Sequence, residues 1–114
     1  MFTRAGGNIK NRMVTKMPES QNTEWKSKWK DEYLEWICGY ANAQGGKIYI
    51  GCDDDGNVLG LPNARKLLED IPNKIRDAMG IIVGVNLLDK NGKEYIEIDV
   101  PPYPIGISCK VVYY

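Results

Sequence analysis

Apolar residues in this chain alternate between two periods, and the order of the two limits the folds that the chain can adopt. Helical spacing is found in residues 31–43 and in a second stretch that begins at Pro62. Six short runs are rich in β-forming residues instead: 23–26, 47–52, 58–61, 81–88, 93–100 and 108–114. The resulting order, β-α-β-β-α-β-β-β, predicts an α+β fold: a single domain with a mixed β-sheet of about five to six strands and two covering helices.

Glycine, proline and asparagine mark the predicted ends of these elements. Gly45-Gly46 is expected to end the first helix, and Gly80 is expected to cap the second. Pro72 is expected to kink or split the second helix, because proline has no N–H to donate. Asn91-Gly92 predicts a tight hairpin turn between two strands.

The length of 114 residues suffices for one hydrophobic core. Residues 1–16 show no hydrophobic period and are expected to be a flexible leader or a cloning remnant. Residues 17–114 then form the domain, and we expect it to be truncated at its C-terminal end because the chain stops inside a β-rich run. No apolar run has the length of a membrane-spanning helix, and no signal peptide is recognisable, so no membrane association is predicted.

Histidine is absent, which excludes Ser-His triads and His-ligated zinc. The three cysteines, Cys38, Cys52 and Cys109, include no Cys-x-x-Cys pair, so a closed structural zinc site is not expected. Cys38 and Cys52 lie in apolar stretches and are interpreted as reduced core residues. Reduced thiols indicate a cytoplasmic location.

The net charge of zero conceals two oppositely charged parts. Residues 1–30 contain seven Lys and Arg against two Asp and Glu, a net charge of +5, and the remaining residues carry −5. Lys26, Lys28 and Lys30 belong to the basic part, and side chains two apart on an extended strand share a face. Such a row, helped by Lys47, would contact nucleic-acid phosphates. The alternative is a solvated edge strand whose lysines prevent aggregation.

Carboxylates form the second candidate site. Glu19 and Glu24 flank the start of the first strand, and Asp53 follows the strand 47–52. Three converging carboxylates would hold Mg²⁺ or Mn²⁺, which could activate water against a phosphate. The alternative is that the aspartates simply belong to a turn, Asp54-Asp55-Gly56-Asn57, and that Glu19 is a flexible surface residue. Asn42 is expected to hydrogen-bond across the turn between the first helix and the next strand.

Three motif blocks together resemble the Schlafen AlbA-like DNA-binding domain family. They are Glu19-Ser-Gln-Asn-Thr-Glu24-Trp-Lys26, then Ala41-Asn42-Ala-Gln-Gly45-Gly46, then Ile50-Gly51-Cys-Asp53-Asp-Asp-Gly56 with Gly60. The strong match covers about residues 19–61. Asn42 and the glycines of these blocks are the expected structural positions: Gly45, Gly46, Gly51, Gly56 and Gly60.

The resemblance implies the N-terminal domain of a bacterial transcriptional regulator or RecG-related divergent-AAA protein, with further domains C-terminal to it. Its partner would be DNA or RNA. In the eukaryotic relatives, two glutamates and an aspartate cleave tRNA and rRNA, and Glu19, Glu24 and Asp53 match those positions.

Three functions remain in competition at this point. The first is a nucleic-acid-binding domain, for which the sequence indicates no definite cofactor. The second is an endoribonuclease that uses Mg or Mn on the three carboxylates. The third is a non-catalytic domain that forms homodimers through its C-terminal strand and the hairpin 87–93.

Overall fold

The computed structural model describes residues 22–108. The expected leader, Glu19, Cys109 and all but the first residue of the run 108–114 lie outside the described residues. Six elements follow one another: β1 (Thr23–Lys26), α1 (Tyr33–Ala41), β2 (Gly46–Ile50), α2 (Ala64–Met79), β3 (Gly84–Lys90) and β4 (Lys93–Val100).

The four strands form one mixed sheet in the order β1-β2-β4-β3. β1 pairs with β2 in parallel, and the other two pairings are antiparallel. The prediction of an α+β domain is confirmed, although the described residues contain four strands in the sheet where five to six were expected. With the rest of the described residues, the run 58–61 forms one bridge, between Val58 and Cys52. Its next two N–H groups, of Leu59 and Gly60, both donate to the carbonyl of Gly51, so no ladder can continue.

The hydrophobic core lies between one face of the sheet and the two helices. Isoleucines from every layer are fully buried in it: Ile37, Ile48, Ile50, Ile71, Ile75, Ile96 and Ile98. Each buried side chain of this size contributes about 1.5–3 kcal/mol to folding. The strand residues between them, such as Lys47, Tyr49 and Glu97, are not buried. In the described part of the chain, both helices therefore cover the same face, and the other face is open.

The helix ends agree with the sequence in part. α1 begins at Tyr33, because Asp31 and Glu32 form a turn ahead of it. α2 is not split, since it is helical on both sides of Pro72. Pro72 costs the helix one hydrogen bond, because proline has no N–H to donate to the carbonyl four residues earlier. A continuous helix in return buries Ile71 and Ile75 completely. Gly80 caps α2 in a left-handed conformation (φ 71°), as predicted.

The hairpin between β3 and β4 also follows the prediction. Asn91 and Gly92 have φ values of 55° and 82°, the left-handed pair that a two-residue hairpin turn requires. Asp89 Oδ1 accepts a hydrogen bond from the Gly92 N–H at 3.1 Å. The turn pairs Lys90 with Lys93 and so fixes the register of the two strands.

The cysteines differ from the sequence interpretation. Cys52 is free and buried, as expected. Cys38 is disulfide-bonded, so its interpretation as a reduced core thiol is wrong. The segment 103–107 runs past the C-terminal end of α1, with the Tyr103 N–H bonded to the Ala41 carbonyl at 2.8 Å. That proximity has no local sequence signal. None of the helices described is long and apolar enough to cross a membrane.

Candidate nucleic-acid interface

A cleft of about 350 Å³ opens where β1 and β2 end. Its lining consists of Lys26, Ser27, Lys28, Lys30, Tyr33, Cys52, Asp53, Asp54 and Leu59. The carbonyl of Lys26 accepts hydrogen bonds from the N–H groups of Gly51 and Cys52, at 2.7 and 3.0 Å. These two bonds hold the start of the lysine-containing loop beside the start of the aspartate-containing loop. The two loops form the walls of the cleft.

The three lysines come together differently from the prediction. β1 ends at Lys26, and residues 27–28 form a bend, so the predicted row along one strand face is wrong. The reason lies in the neighbouring strand. Gly51 takes a left-handed conformation (φ 105°), β2 turns away, and its pairing with β1 stops at Lys26. The loop itself then brings Lys28 and Lys30 to the cleft.

The cleft lysines keep their charges available. Lys28 and Lys30 are exposed, and neither they nor Lys26 forms an ion pair within residues 22–108. Lys47 does not line this cleft. It lies on the open face of the sheet, where its Nζ is 3.7 Å from Oε2 of Glu97. The structure therefore groups three of the four predicted lysines.

Aromatic rings hold the innermost lysine. The Nζ of Lys26 lies 5.0 Å from the ring centroid of Trp36 and 5.9 Å from that of Tyr33. Tyr33 stacks on Trp36 with centroids 4.6 Å apart, and the ring of Trp29 meets Tyr33 edge-on at 5.8 Å. Cation–π attraction restrains an ammonium group in this position without neutralising it. Because Tyr33 is only 4% exposed, its ring is not free to stack on a base.

The carboxylate of Asp53 organises the loop that carries it. Its Oδ1 accepts the N–H groups of Asp55 and Asn57, both at 2.9 Å, and its Oδ2 accepts Nδ2 of Asn57 at 3.2 Å. These hydrogen bonds, the backbone bond from Asn57 foremost, hold the pKa of Asp53 below its usual range. Oδ1 has both lone pairs occupied, and Oδ2 keeps one.

Asp54 has the opposite character. It lines the same cleft and is exposed, and its carboxylate has no hydrogen-bond or ion-pair partner in the described part of the chain. Two neighbouring aspartates thus differ in availability: one is committed to the loop, and one faces the cleft with both oxygens free.

Two of the three predicted metal ligands, Glu24 and Asp53, fall within the described residues, and Glu19 lies outside them. Glu24, in β1, pairs with Ile48 of β2 and lies on the face of the sheet that the helices cover. Burial raises the pKa of Tyr40 to about 12, and the negative charge of Glu24 adds to the shift. Among residues 22–108, no three Asp, Glu, His or Cys side chains come close enough to hold a metal ion.

The expected structural residues have identifiable contacts. Gly45 has a φ of 83°, and a Cβ there would lie 2.6 Å from the carbonyl oxygen of Val100. Asn42 was expected to hydrogen-bond across the turn that follows α1, but it does not. A different side chain bonds to that turn: Nδ2 of Asn22 donates to the Gly45 carbonyl at 3.1 Å. Asn42 instead donates to the carbonyl of Ile107 at 2.9 Å and accepts from its N–H.

The other motif glycines also lie close to neighbouring side chains. An added Cβ would lie 2.7 Å from the Tyr40 ring at Gly46 and 3.0 Å from Leu61 at Gly51. At Gly56 it would lie 3.1 Å from the indole of Trp25, and at Gly60 it would lie 3.3 Å from Lys93. A side chain at any of these four positions would press on that neighbour.

Sequence reasoning missed Tyr33, Trp36 and Asp54. Tyr33 and Trp36 are three residues apart on a helix, a spacing that places two rings side by side. This spacing could have indicated an aromatic wall. Nothing in the run of three aspartates could have shown which carboxylate the loop would use.

Similarity to a known family extends over most of the chain. The family model described as Schlafen, AlbA_2 matches residues 19–112. No curated protein matches significantly.

Solved structures with the same fold include two bacterial proteins. The DIP2311 protein from Corynebacterium diphtheriae has a TM-score of 0.59 and 16% identity, over 86% of this chain and 20% of that one. The N-terminal domain of a RecG-related protein from Nitrosomonas europaea has a TM-score of 0.56 and 21% identity, over 73% of this chain and 63% of that one. At these identities the likeness concerns the fold alone. The chain spans less than two thirds of the length of either structure.

Proposed function

The chain belongs to the Schlafen, AlbA_2 family, and we propose that it is a nucleic-acid-binding module. The observation that carries this proposal is the cleft at the ends of β1 and β2, where Lys26, Lys28 and Lys30 converge without an ion pair among the described residues. Phosphate groups are the ligands for which such a cluster is suited, because each neutralised phosphate releases bound counterions.

The position of the lysines supports contact with a phosphate backbone. Lys28 and Lys30 extend into solvent from an irregular loop, whereas the aromatic rings of α1 restrain Lys26. A restrained cation loses less conformational entropy when a phosphate binds. We infer that Lys26 sets the position of one phosphate and that the two exposed lysines add affinity. Lys47, which is close to Glu97, lies outside this contact surface.

Metal-dependent ribonuclease activity has weaker support. Asp53 keeps one free lone pair, on Oδ2, so it fits at most one ligand position on Mg²⁺ or Mn²⁺. The carboxylate set of Glu19, Glu24 and Asp53 therefore stays a prediction. The alternative of a non-catalytic homodimer also stays a prediction.

The biological setting is part of the same proposal. The Nitrosomonas europaea protein is named as related to the ATP-dependent DNA helicase RecG, and the present chain spans 63% of its N-terminal domain. We infer that the module serves a larger protein, such as a transcriptional regulator, in which further domains supply sequence selectivity.

Charge reversal in the cleft tests the proposal. The double variant Lys28→Glu/Lys30→Glu is titrated against labelled duplex DNA, single-stranded DNA and tRNA, beside the wild type. Lys66→Glu/Lys93→Glu is the matched control, because it changes the net charge equally at exposed positions that do not line the cleft. Circular dichroism verifies that all proteins are folded.

The proposal predicts that the cleft variant loses binding and the control keeps most of it. Equal losses in both would show that net charge alone attracts nucleic acid, and undiminished binding by the cleft variant would contradict the assigned surface.

A further inference from the structure

We propose that Asp54 recognises the Watson–Crick edge of an unpaired guanine, so that the cleft selects guanine in single-stranded DNA. This inference rests on the proposed function, since it names the base that accompanies the phosphates bound by the lysines. The inference gives a role to the carboxylate of Asp54, which lines the cleft but takes no part in binding phosphate.

The cleft is lined by groups of opposite charge. Lys26, Lys28 and Lys30 belong to β1 and the loop after it, and Asp53 and Asp54 belong to the loop after β2. The carboxylate of Asp53 is satisfied by the N–H groups of its own loop, whereas that of Asp54 has no such bond among the described residues. A carboxylate repels phosphate, so a ligand that fills the cleft must present phosphate to the lysines and N–H or O–H donors to Asp54.

Only the bases of a DNA strand can supply those donors, because its internal phosphates and deoxyriboses have none. Guanine alone carries two adjacent N–H donors, N1–H and the N2 amino group, on its Watson–Crick edge. A carboxylate with both oxygens free accepts two parallel hydrogen bonds, which is the strong, geometrically selective arrangement. Cytosine and adenine offer one amino group beside an acceptor, and thymine offers one N–H between two acceptors.

The size of the cleft favours an unpaired strand. A volume of about 350 Å³ lies at the low end of small-ligand pockets and is suited to one nucleotide. In a duplex, base pairing occupies N1–H, and the remaining base edges lie at the bottom of grooves about 7.5–8.5 Å deep. Proteins that read single strands commonly bond to Watson–Crick edges in this way.

The loop geometry supports the assignment to Asp54 rather than Asp53. Three hydrogen bonds to Asp53 fix the backbone on both sides of Asp54, so its carboxylate starts from a restrained position. Asp55, the third aspartate of the run, is exposed but does not line the cleft. It therefore offers a neighbouring control with the same charge.

The test uses fluorescence anisotropy at low salt with labelled thymidine tracts of about 12 nucleotides, within the site sizes of single-strand binders. One central position is guanine, hypoxanthine or adenine. Hypoxanthine differs from guanine only by the missing N2 amino group. We expect guanine to bind at least about fivefold more tightly than either, the lower end of what a bidentate contact supplies.

Two variants separate the outcomes. Asp54→Asn, which has one acceptor and one donor, should abolish the guanine preference while retaining the salt dependence, and Asp55→Asn should keep the preference. If all three tracts bind equally, or if the preference survives in Asp54→Asn, the inference is overturned while nucleic-acid binding stands. If no tract, duplex or tRNA binds even at low salt, the proposed function fails as well.

Discussion

Asn57 closes the loop after β2 onto Asp53 from both its backbone and its side chain. Its N–H and its Nδ2 donate to the two oxygens of the Asp53 carboxylate, at 2.9 and 3.2 Å, and its carbonyl accepts the Asp53 N–H at 2.9 Å. This reciprocal pairing fixes the wall of the cleft that carries Asp54. The loop is therefore held by an ionised carboxylate, which makes its stability depend on pH.

Replacing Asp53 by Asn should destabilise the protein at neutral pH and have less effect in acid. The N–H groups of the loop lower the pKa of Asp53 in the folded state, so the unfolded chain binds its proton first as pH falls. The stabilisation is thus present above the unfolded value of about 3.9 and is lost as pH falls through the lower folded pKa.

Urea unfolding at about pH 7 and at about pH 3 measures this effect. The stability difference between wild type and Asp53→Asn should narrow in acid. Asp55→Asn serves as the control, because it keeps the backbone N–H that bonds to Asp53 and changes only a side chain that makes no hydrogen bond among the described residues. A difference of constant size at both pH values would argue against an ionised loop carboxylate.

Two glycine-to-alanine changes should have opposite effects on the free energy of unfolding. Gly39 lies in α1 with no atom within 4 Å of an added Cβ, so Gly39→Ala should stabilise by about 0.5–1 kcal/mol. Gly45 has a φ of 83° and the Val100 carbonyl 2.6 Å from the added Cβ, so Gly45→Ala should destabilise by at least about 2 kcal/mol. Urea unfolding of both variants checks the pair, and the same sign for both would contradict the described turn.

Removing the side chain of Asn42 should release the segment that passes the end of α1. The amide makes two hydrogen bonds with the backbone of Ile107, so Asn42→Ala should cost about 1–2 kcal/mol. Hydrogen exchange at the Ile107 N–H is the direct measurement. Asn42→Asp, which retains the acceptor, should keep the protection of that N–H, and unchanged exchange in Asn42→Ala would disprove the contact.

Much of the fold can be predicted from the sequence because its patterns are local. Strict alternation in β4 directs Ile96 and Ile98 into the core, and the Asn91-Gly92 turn sets the register of the hairpin. The unbroken α2 could not be predicted by a local rule. The loss of one hydrogen bond at Pro72 is smaller than the gain from burying Ile71 and Ile75 on a continuous helix.

The site is less predictable because its contacts join distant residues. The charge count indicates a basic segment, but the lysines converge because β2 turns at Gly51, which belongs to a different part of the sequence from the lysines. Asn42 finds its partner 65 residues later in the chain. The choice of Asp53 over Asp54 as the loop carboxylate depends on the path of the backbone, which no composition or spacing reveals.

The salt dependence of nucleic-acid binding tests the central claim most directly. Affinity for single-stranded and duplex DNA is measured between about 50 and 200 mM salt for the wild type, Lys26→Gln/Lys28→Gln/Lys30→Gln and the charge-matched control Lys66→Gln/Lys90→Gln/Lys93→Gln, whose lysines are exposed and do not line the cleft. When three phosphates are neutralised, the logarithm of the association constant falls with the logarithm of the salt concentration with a slope of about −2 for single strands and about −3 for duplex. The account predicts that the slope of the triple variant is less steep than that of the wild type by this amount, and that the control has the wild-type slope. Equal slopes for wild type and triple variant would contradict the claim that these lysines bind the phosphate backbone.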